Sequence, residues 1–373
     1  MSTEGGYGKI RADLSKIVLD IRPKNIPNGS LDEPELVQEY GYNDSGVFNS
    51  RIKIYLRSRG CVSATCTMCP MPHETNYGNV NLQVSSGNYV EQFNSVFRER
   101  NINGYDIVCV YNSGNWFANQ EVPSEARVKI YKEIGKSKSK SMMVQSLPQF
   151  ITPKTVEEAR ENLGDKKLIV GIGLQSADDV VRSVCINTTC TKTQFESAAK
   201  LLNNNGYSLE TYIMIKPPFL TESETIKDVI GSIKYLESIG QRNISICPTR
   251  VSEHTIVAEL SKRGLYEPPS LWTVVKILRI VHQEGLRVRV ACLDIDGKDT
   301  KTIYPKGCTE CTPKVLESLK RYSSTGEISE LNSLSCKKCE PELEEKIAEV
   351  NDTPLIERVN QFVQEYRAEV YKQ

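Results

Sequence analysis

Three cysteines stand within nine residues, in Cys61-Val-Ser-Ala-Thr-Cys66-Thr-Met-Cys69-Pro70, with the spacing C-x4-C-x2-C. They follow a strand-like run, Arg51-Ile-Lys-Ile-Tyr-Leu56, and a turn, Arg57-Ser-Arg-Gly60. Three thiolates on one loop can hold three irons of a 4Fe–4S cube and leave the fourth iron without a protein ligand. A protein that only ferries electrons would supply a fourth cysteine nearby, and the next one here is Cys109. An open iron is a place to bind and reduce a small molecule. Two blander readings stand beside this one: an accidental thiol cluster, or a zinc knuckle closed by His73 as fourth ligand.

The open-iron pattern is the sequence logic of radical S-adenosylmethionine (SAM) enzymes, in which SAM chelates the free iron and is cleaved to a 5′-deoxyadenosyl radical. Composition narrows the setting. Lys and Arg total 47 and balance 47 Asp and Glu, which argues against an extended electrostatic footprint for nucleic acid. The first twenty residues mix charges with no apolar stretch, and no run approaches a membrane span, so a soluble cytoplasmic protein with no membrane partner is expected. Twelve cysteines without an export signal point to metal rather than to disulfides. Cys109, Cys185, Cys190, Cys247 and Cys292 are scattered and read as small buried hydrophobes.

Residues 1–49 read as an N-terminal wrap, with one helix near 10–20 and a turn-rich run at Asn25-Ile-Pro-Asn-Gly29. Beyond the cysteine loop, strand-like segments at 106–111, 141–145, 168–174, 209–215 and 244–247 alternate with amphipathic stretches at 89–101, 124–134, 154–163, 192–205 and 222–239. Alternation of this kind predicts parallel βα units. With the strand before the cysteines the count is six. The expected fold class is therefore α/β, a partial (βα)6 TIM barrel over 50–285 with ligands at the carboxyl ends of the strands. A helix at 271–284 and a strand at 287–293, ending in Asp294-Ile-Asp296-Gly297, lead into a C-terminal extension, 286–373. There Cys308-Thr-Glu-Cys311 and Cys336-Lys-Lys-Cys339 bracket a helical run at 313–322, and a charged helix spans 351–371. Paired C-x2-C units predict a four-cysteine metal site, with structural zinc favoured over a second iron–sulfur cluster.

Each expected strand end carries polar or glycine-rich residues. Ser113, Gly114 and Asn115 can present backbone groups to an amino-acid moiety, or form an ordinary turn. Gln175 can hydrogen-bond a ribose or carboxylate, and Arg182 can pair with a carboxylate, while Asp178 reads equally as a helix cap. Lys216, stiffened by Pro217 and Pro218, is the candidate for a substrate carboxylate or phosphate; its plain alternative is a solvated lysine. Trp272 in the second rigid loop, Tyr266-Glu-Pro-Pro-Ser-Leu-Trp272, reads as a core anchor more than a stacking platform.

These stretches together resemble one family. Arg59-Gly-Cys61 to Cys69, Tyr111-Asn-Ser-Gly114 with Glu121-Val-Pro123, Gly173-Leu174 with Val181-Arg182, Tyr212-Ile-Met-Ile-Lys-Pro-Pro-Phe-Leu-Thr-Glu222, Tyr266-Glu-Pro-Pro with Leu271-Trp272, and the last four cysteines are similar to the radical SAM subunit of archaeosine synthase. That subunit lies in the Elongator-catalytic-subunit-like branch of radical SAM proteins. The resemblance implies a 4Fe–4S cluster on Cys61, Cys66 and Cys69, and SAM contacts that include Met68, Ser113, Gly114, Asn115, Gln145, Gln175 and Arg182. It further implies a lysine-modified deazaguanine tRNA as substrate, a partner enzyme that carries much of the tRNA binding, and a reductase, flavodoxin or ferredoxin as electron donor. In the implied reaction hydrogen is abstracted from the lysine carbon next to the linking nitrogen, and the carbon–nitrogen bond breaks to leave an amidine.

The chain departs from the family pattern at charged positions. A Glu-x-Arg-Pro-Glu type segment after the third strand reads Gln145-Ser-Leu147-Pro-Gln149 here. The usual Glu after Gly-Leu is Gln175, the following Asn-Lys-Gly is Asn187-Thr-Thr189, and the Asn of the sixth strand is Cys247. Amides keep hydrogen-bonding capacity but lose charge, and loss of the arginine removes a bidentate carboxylate grip. The SAM contacts are therefore expected to be altered or relocated. A small amino-acid-like or natural-product substrate is the second reading, and a non-catalytic zinc-binding adaptor is the third.

Overall fold

A computed structural model of the chain describes residues 7–23, 30–44, 47–71, 83–293 and 301–370. His73, the Asn25–Gly29 turn and the Asp294-Ile-Asp296-Gly297 run lie outside the described residues. Eight strands form one sheet in chain order: β1 (Leu36–Asp44), β2 (Val47–Tyr55), β3 (Ile107–Tyr111), β4 (Ser141–Gln145), β5 (Lys167–Gln175), β6 (Ser208–Ile215), β7 (Ile244–Pro248) and β8 (Arg289–Val290). β1 runs antiparallel to β2, and every later pair is parallel. Helices Ser86–Arg98, Ser124–Lys136, Pro153–Leu163, Lys192–Asn204 and Glu222–Ser238 fill the connections from β2 to β7. Thr152, Thr191 and Thr221 cap the last three of these, each bonding reciprocally with the residue three positions on, so the strand-to-helix turns are set locally.

The strands sort their side chains by period two. Ile52, Ile54, Val108, Val110, Met142, Val144, Leu168, Val170, Leu209, Ile213, Ile244 and Ile246 face the helices in one large core. Their neighbours point inward, where the register aligns Tyr55 with Tyr111, Lys53 with Cys109, Met143 with Ile169, and Gly173 with Tyr212. Tyr111 and Met143 pack there with Cys109, Tyr55 and Tyr212. The helix Thr312–Thr325 contacts both edge strands, β1 and β8. A flat sheet of eight strands would hold its edges about 34 Å apart, whereas a helix of 14 residues is only about 21 Å long. The sheet is therefore rolled into a partial barrel.

The expected parallel units are all present, and three features differ from the sequence reading. The N-terminal segment is more than a wrap around one helix, Gly8–Ile21: it also contributes β1, whose main-chain pairing with β2 needs no strong side-chain pattern. β8 is shorter than 287–293, spanning only Arg289–Val290, and Cys292 just beyond it adopts a left-handed backbone (φ 61). The C-terminal extension shares the main core, through Val315, Leu319, Tyr322, Leu331 and Leu343. A second apolar cluster joins the first helix (Leu14, Ile17) to the last, Leu355–Val370 (Val359, Phe362), over the loops after β5 and β6. Among the described residues no helix is long and apolar enough to cross a membrane.

Leu319 is fully buried where the helix Thr312–Thr325 closes the barrel edge. Leu319→Ala should lower unfolding stability by about 2–5 kcal/mol. Because the core is shared, urea denaturation should still show one transition; a separate early C-terminal transition would contradict that sharing.

Candidate functional site

The cysteine loop sits at the carboxyl ends of the parallel strands. Its entry is made by Gly60, whose φ of 88 suits a residue without Cβ. Ser58 Oγ accepts from Gly60 N (2.9 Å) and donates to Asn112 O (2.6 Å), which ties the loop to the end of β3. Glu121 makes the central connection. Its carboxylate accepts from Val62 N (2.8 Å), Asn115 Nδ2 (2.6 Å) and Asn112 Nδ2 (3.2 Å), and also from Asn115 N. Burial pushes the Glu121 carboxyl above its ordinary range, and the donors from Asn115, Val62 and Asn112 pull it back. Asn115 Nδ2 also reaches Cys61 Sγ (3.4 Å), and its Oδ1 accepts from Leu147 N at the end of β4 (2.7 Å). Gly114 leaves room for this contact: a Cβ there would lie 2.0 Å from Glu121 Oε2 and 3.0 Å from Cys61 N.

The far side of the loop rests on the segment after β5. Thr67 Oγ1 donates to Cys185 O (2.6 Å), and Thr67 N donates to Ile186 O (3.0 Å). Asn187, itself left-handed, donates to Thr65 O (3.0 Å). The first helix and the residue that ends it support the same point, with Arg11 on Thr188 O (2.9 Å) and Arg22 on Ala64 O. Burial raises the Cys66 thiol, and neighbouring Cys69 and Cys61 raise it further. Burying three thiolates on one loop would be costly without a bound cation.

Beside the loop the donor set fits a polar ligand. Gln149 Nε2 donates to Thr189 Oγ1 (3.0 Å), and Thr189 in turn meets Ser63 of the cysteine loop (3.3 Å). Gln149 Oε1 and Ser146 Oγ are buried with no hydrogen-bond partner. Native proteins seldom leave such atoms unpaired, and a bound polar molecule is one way to satisfy them. Gln145 packs over Gly171, where a Cβ would come 3.2 Å from its Cγ; Gln175 folds over Gly173, where a Cβ would come 2.3 Å from its Nε2. Ser113, Gln175, Lys216 and Cys292 all have positive φ, so strained backbone marks four strand ends on this face.

Several expected site residues are engaged elsewhere. Lys216 is paired within the chain. Its Nζ donates to Glu222 Oε1 (2.7 Å) in a buried pair, and Thr273 Oγ1 donates to Glu222 Oε2 (2.7 Å). The left-handed turn at Lys216 (φ 60) breaks the inward alternation of β6 and swings the side chain toward the capped helix carrying Glu222. Arg182 is fully buried and holds Cys190 O (3.0 Å), Ser176 O (3.1 Å) and Asp179, so it braces the loop after β5. Asp178 caps that segment, accepting from Val180 N (2.8 Å) and Val181 N (2.9 Å). Met68 packs against the second apolar cluster. Cys109, Cys185 and Cys190 are buried as expected, but Cys247 is half-buried, Cys292 is exposed, and the two hydrogen-bond each other.

The last four cysteines converge. Cys308 Sγ lies 3.4 Å from Cys311 Sγ and 3.7 Å from Cys336 Sγ, and Cys311 Sγ lies 3.6 Å from Cys339 Sγ. All four sulfurs fall within 4.8 Å of one another, the only His, Cys, Asp or Glu group this tight among the described residues. Cys308 N donates to Cys339 Sγ (3.0 Å), and Trp272 Nε1 donates to Cys311 Sγ (3.3 Å). Trp272 is thus a core anchor, as expected, and also a donor to the sulfur group.

Glu121 and the inward Tyr111, Glu210 and Tyr212 had no assigned role in the sequence reading. Alternation in Ser208-Leu-Glu-Thr-Tyr-Ile-Met214 could have flagged the β6 pair, since polar residues at the successive inward positions 208, 210 and 212 are unusual for a filled barrel. Glu210 accepts from Ser245 Oγ (2.8 Å), and burial together with Glu210 pushes the Tyr212 phenol up.

Proteins of known sequence resemble this one over most of the chain. An archaeosine synthase subunit beta of Methanosarcina acetivorans is 28% identical over 364 residues, 92% of this chain and 99% of that protein. The chain is a relative of archaeosine synthase subunit beta. A second protein of that name, from Thermococcus kodakarensis, is 27% identical over 299 residues, 78% of this chain and 90% of its own length. An uncharacterized protein of Methanocaldococcus jannaschii is 29% identical over 324 residues, covering 84% and 85%. These relatives bear out the resemblance read from the sequence. No protein-family model matches. Among solved structures, methylornithine synthase aligns with a TM-score of 0.45 at 12% identity, over 79% of this chain and 74% of that one. A spore photoproduct lyase complexed with dinucleoside spore photoproduct gives 0.40 at 12% identity, over 57% and 60%.

Gly114→Ala should force the Glu121 carboxylate and the Cys61 backbone apart. After anaerobic incubation with iron and sulfide, the variant should take up far less iron than the wild type, with metal at the last four cysteines unchanged. Wild-type iron uptake would show that the Glu121 contact does not govern the loop.

Proposed function

We propose that this chain is a radical SAM enzyme in which Cys61, Cys66 and Cys69 hold a 4Fe–4S cluster. The observation that carries the reading is the cysteine loop itself, braced by Glu121 and Asn115 at the carboxyl ends of the strands beside unpaired buried acceptors. The three sulfurs do not form a group as tight as the last four cysteines, which suits a multi-iron cluster better than a single closed ion. When bound, the cluster and SAM supply a 5′-deoxyadenosyl radical. The chain's own residues hold and orient the parts. Asn115 donates to one cluster thiolate, Glu121 fixes the loop, and Gln149 Oε1 and Ser146 Oγ offer acceptors for the polar groups of SAM. Gln145 and Gln175, laid over two glycines, line the same face. Tyr55, Tyr111 and Tyr212 wall the inner face where substrate would enter.

The favoured substrate is a lysine-modified deazaguanine in tRNA, cleaved between carbon and nitrogen to leave an amidine. Similarity to archaeosine synthase subunit beta over nearly the whole of that protein supports this choice. That relative is named as a subunit, and zero net charge fits tRNA being held mainly by a partner. A reductase, flavodoxin or ferredoxin would deliver the electron. The Lys216–Glu222 pair takes away one cation for phosphate and carboxylate alike; the uncharged Gln145, Leu147, Gln149 and Gln175, where the family pattern carries charge, favour the second reading, a small amino-acid-like substrate.

The last four cysteines are read as a zinc site. A tetrahedron of ~2.3 Å zinc–thiolate bonds has edges of about 3.8 Å, close to the sulfur separations of 3.4 to 3.7 Å here. Four thiolates on the outer irons of a cube would stand farther apart.

Anaerobically reconstituted protein should form 5′-deoxyadenosine from SAM with a reductant. Replacing Cys61, Cys66 and Cys69 with Ala should abolish both that product and the charge-transfer absorbance while the fold persists. Persistent absorbance in the triple variant would overturn the cluster assignment. Metal analysis should find zinc in addition to iron; iron and sulfide for two clusters without zinc would reassign the C-terminal group. With lysine-modified tRNA the product should be the amidine base, and failure on tRNA despite 5′-deoxyadenosine formation would favour the small-molecule substrate.

A further inference from the structure

The four-cysteine group touches the barrel mouth through one helix turn. The loop before Cys308 is pressed onto the start of the helix Leu271–Gln283: Leu271 N donates to Lys306 O (3.3 Å). A Cβ on Gly307 would stand 2.7 Å from Cys311 Sγ and 3.4 Å from Trp272 Nε1. The second cysteine pair is tied to the same helix. Arg279 lies over the Trp272 ring (5.9 Å) and donates to Leu331 O (2.7 Å) and Leu334 O (2.8 Å), just before Cys336. Adjacent residues in the first helical turn then divide the work. Trp272 donates to Cys311 Sγ, while Thr273 donates to Glu222, which holds Lys216. Tyr266 O–H donates to Lys216 O (2.6 Å) and fixes the same residue from its backbone.

We propose that the metal ion bound by Cys308, Cys311, Cys336 and Cys339 positions the loop that leaves β6, residues 216–221, through Trp272, Thr273 and Glu222. The inference rests on this group holding a metal ion, and it does not depend on which ion or on the substrate. A metal-bound thiolate carries more negative charge than a thiol and accepts the indole N–H more strongly. Trp272 is 2% exposed, so water cannot replace that acceptor. Lys216 keeps its left-handed backbone only while its surroundings over-determine it. Its Glu222 contact is the one that leads back to the metal. The last helix clamps the other end of the loop independently, through Arg358 on Phe219 O (2.7 Å) and on Glu224. Metal loss should therefore loosen the Lys216 end first.

Hydrogen exchange on the metal-loaded full chain tests this. Removing the C-terminal ion with a chelator should accelerate amide exchange in 215–221 on the order of tenfold, beyond any change near the cysteines. Glu222→Gln and Thr273→Val, shown by metal analysis to retain the ion, should accelerate the same amides with the ion in place. Chelation of Glu222→Gln should then add less than about twofold, because both perturbations act on one chain of contacts. If chelation unfolds the whole chain, Trp272→Phe decides. It keeps the ion but lacks the N–H, should raise exchange in 215–221 about threefold or more, and with cobalt(II) in the group should shift the thiolate-to-cobalt charge-transfer band. Acceleration confined to 306–311 and 336–339, fully multiplicative effects in Glu222→Gln, or an unchanged 215–221 segment in Trp272→Phe would overturn the proposal. So would failure of the four cysteines to hold any ion, an outcome that metal analysis separates from the iron-or-zinc question.

Discussion

The buried carboxylate of Glu121 is the contact on which the candidate site depends. A cysteine loop between a strand and a helix has no regular pairing of its own, so its backbone groups must find partners among side chains and distant main-chain groups. Glu121 supplies one for Val62, directly after the first cysteine, and for Asn115, whose amide meets the first sulfur. One acid thus joins the ends of β2 and β3, and Leu147 N brings in β4 through Asn115 Oδ1. The carboxylate is expensive to bury and is compensated by four donors, which makes the arrangement all-or-none. Gly114 belongs to the same constraint, because only a residue without Cβ lets the turn after β3 pass between Glu121 and Cys61.

Strain accumulates on the same face. Left-handed residues at Ala64, Ser113, Gln175, Asn187 and Lys216 fall in the cysteine loop, at strand ends, or where the chain supports the loop. Each costs on the order of 1–2 kcal/mol for an L-residue and persists because neighbouring contacts leave it no alternative. Asn187 shows how: Arg11 donates to its Oδ1, and its own amide reaches Ser15 and Thr65 O. The rigid helix-packed outer core anchors the strands, and the price of bending their ends is met by local hydrogen bonds.

The two cysteine groups differ in kind. The first is spread along one loop, half-buried, and held from three directions. The second draws its sulfurs together from two hairpin-like pairs, with main-chain and indole donors on the sulfurs. Donors of that type spread a thiolate's charge and orient it. Backbone and side-chain contacts with Cys311 bring the Cys308 thiol down to about 7, whereas burial pushes the Cys311 and Cys339 thiols up.

Local chemistry was legible in the sequence. The parallel units followed from alternation, and the two cysteine groups followed from spacing. Ser113 to Asn115 stood out as a turn, and Trp272 as an anchor. These depend on periodicity and on neighbours within a few residues. What spacing could not carry was direction. Lys216 stands out in the sequence for its place at a strand end, but its side chain turns to Glu222, which a left-handed backbone and a helix cap bring within reach. Arg182 stands out in the sequence as a cation, and carbonyls gathered from the loop after β5 engage it. Glu121 and Gly114 were visible as residues, yet their roles required β2, β3 and β4 to meet. The sequence by itself determined the parallel strands and which loops carry clustered thiols, because those are short-range properties, whereas β1 is held by main-chain pairing and left no such pattern. Tertiary structure alone decided which polar side chains remain available to a ligand, because a buried charge goes to whichever partner the fold brings within hydrogen-bonding distance.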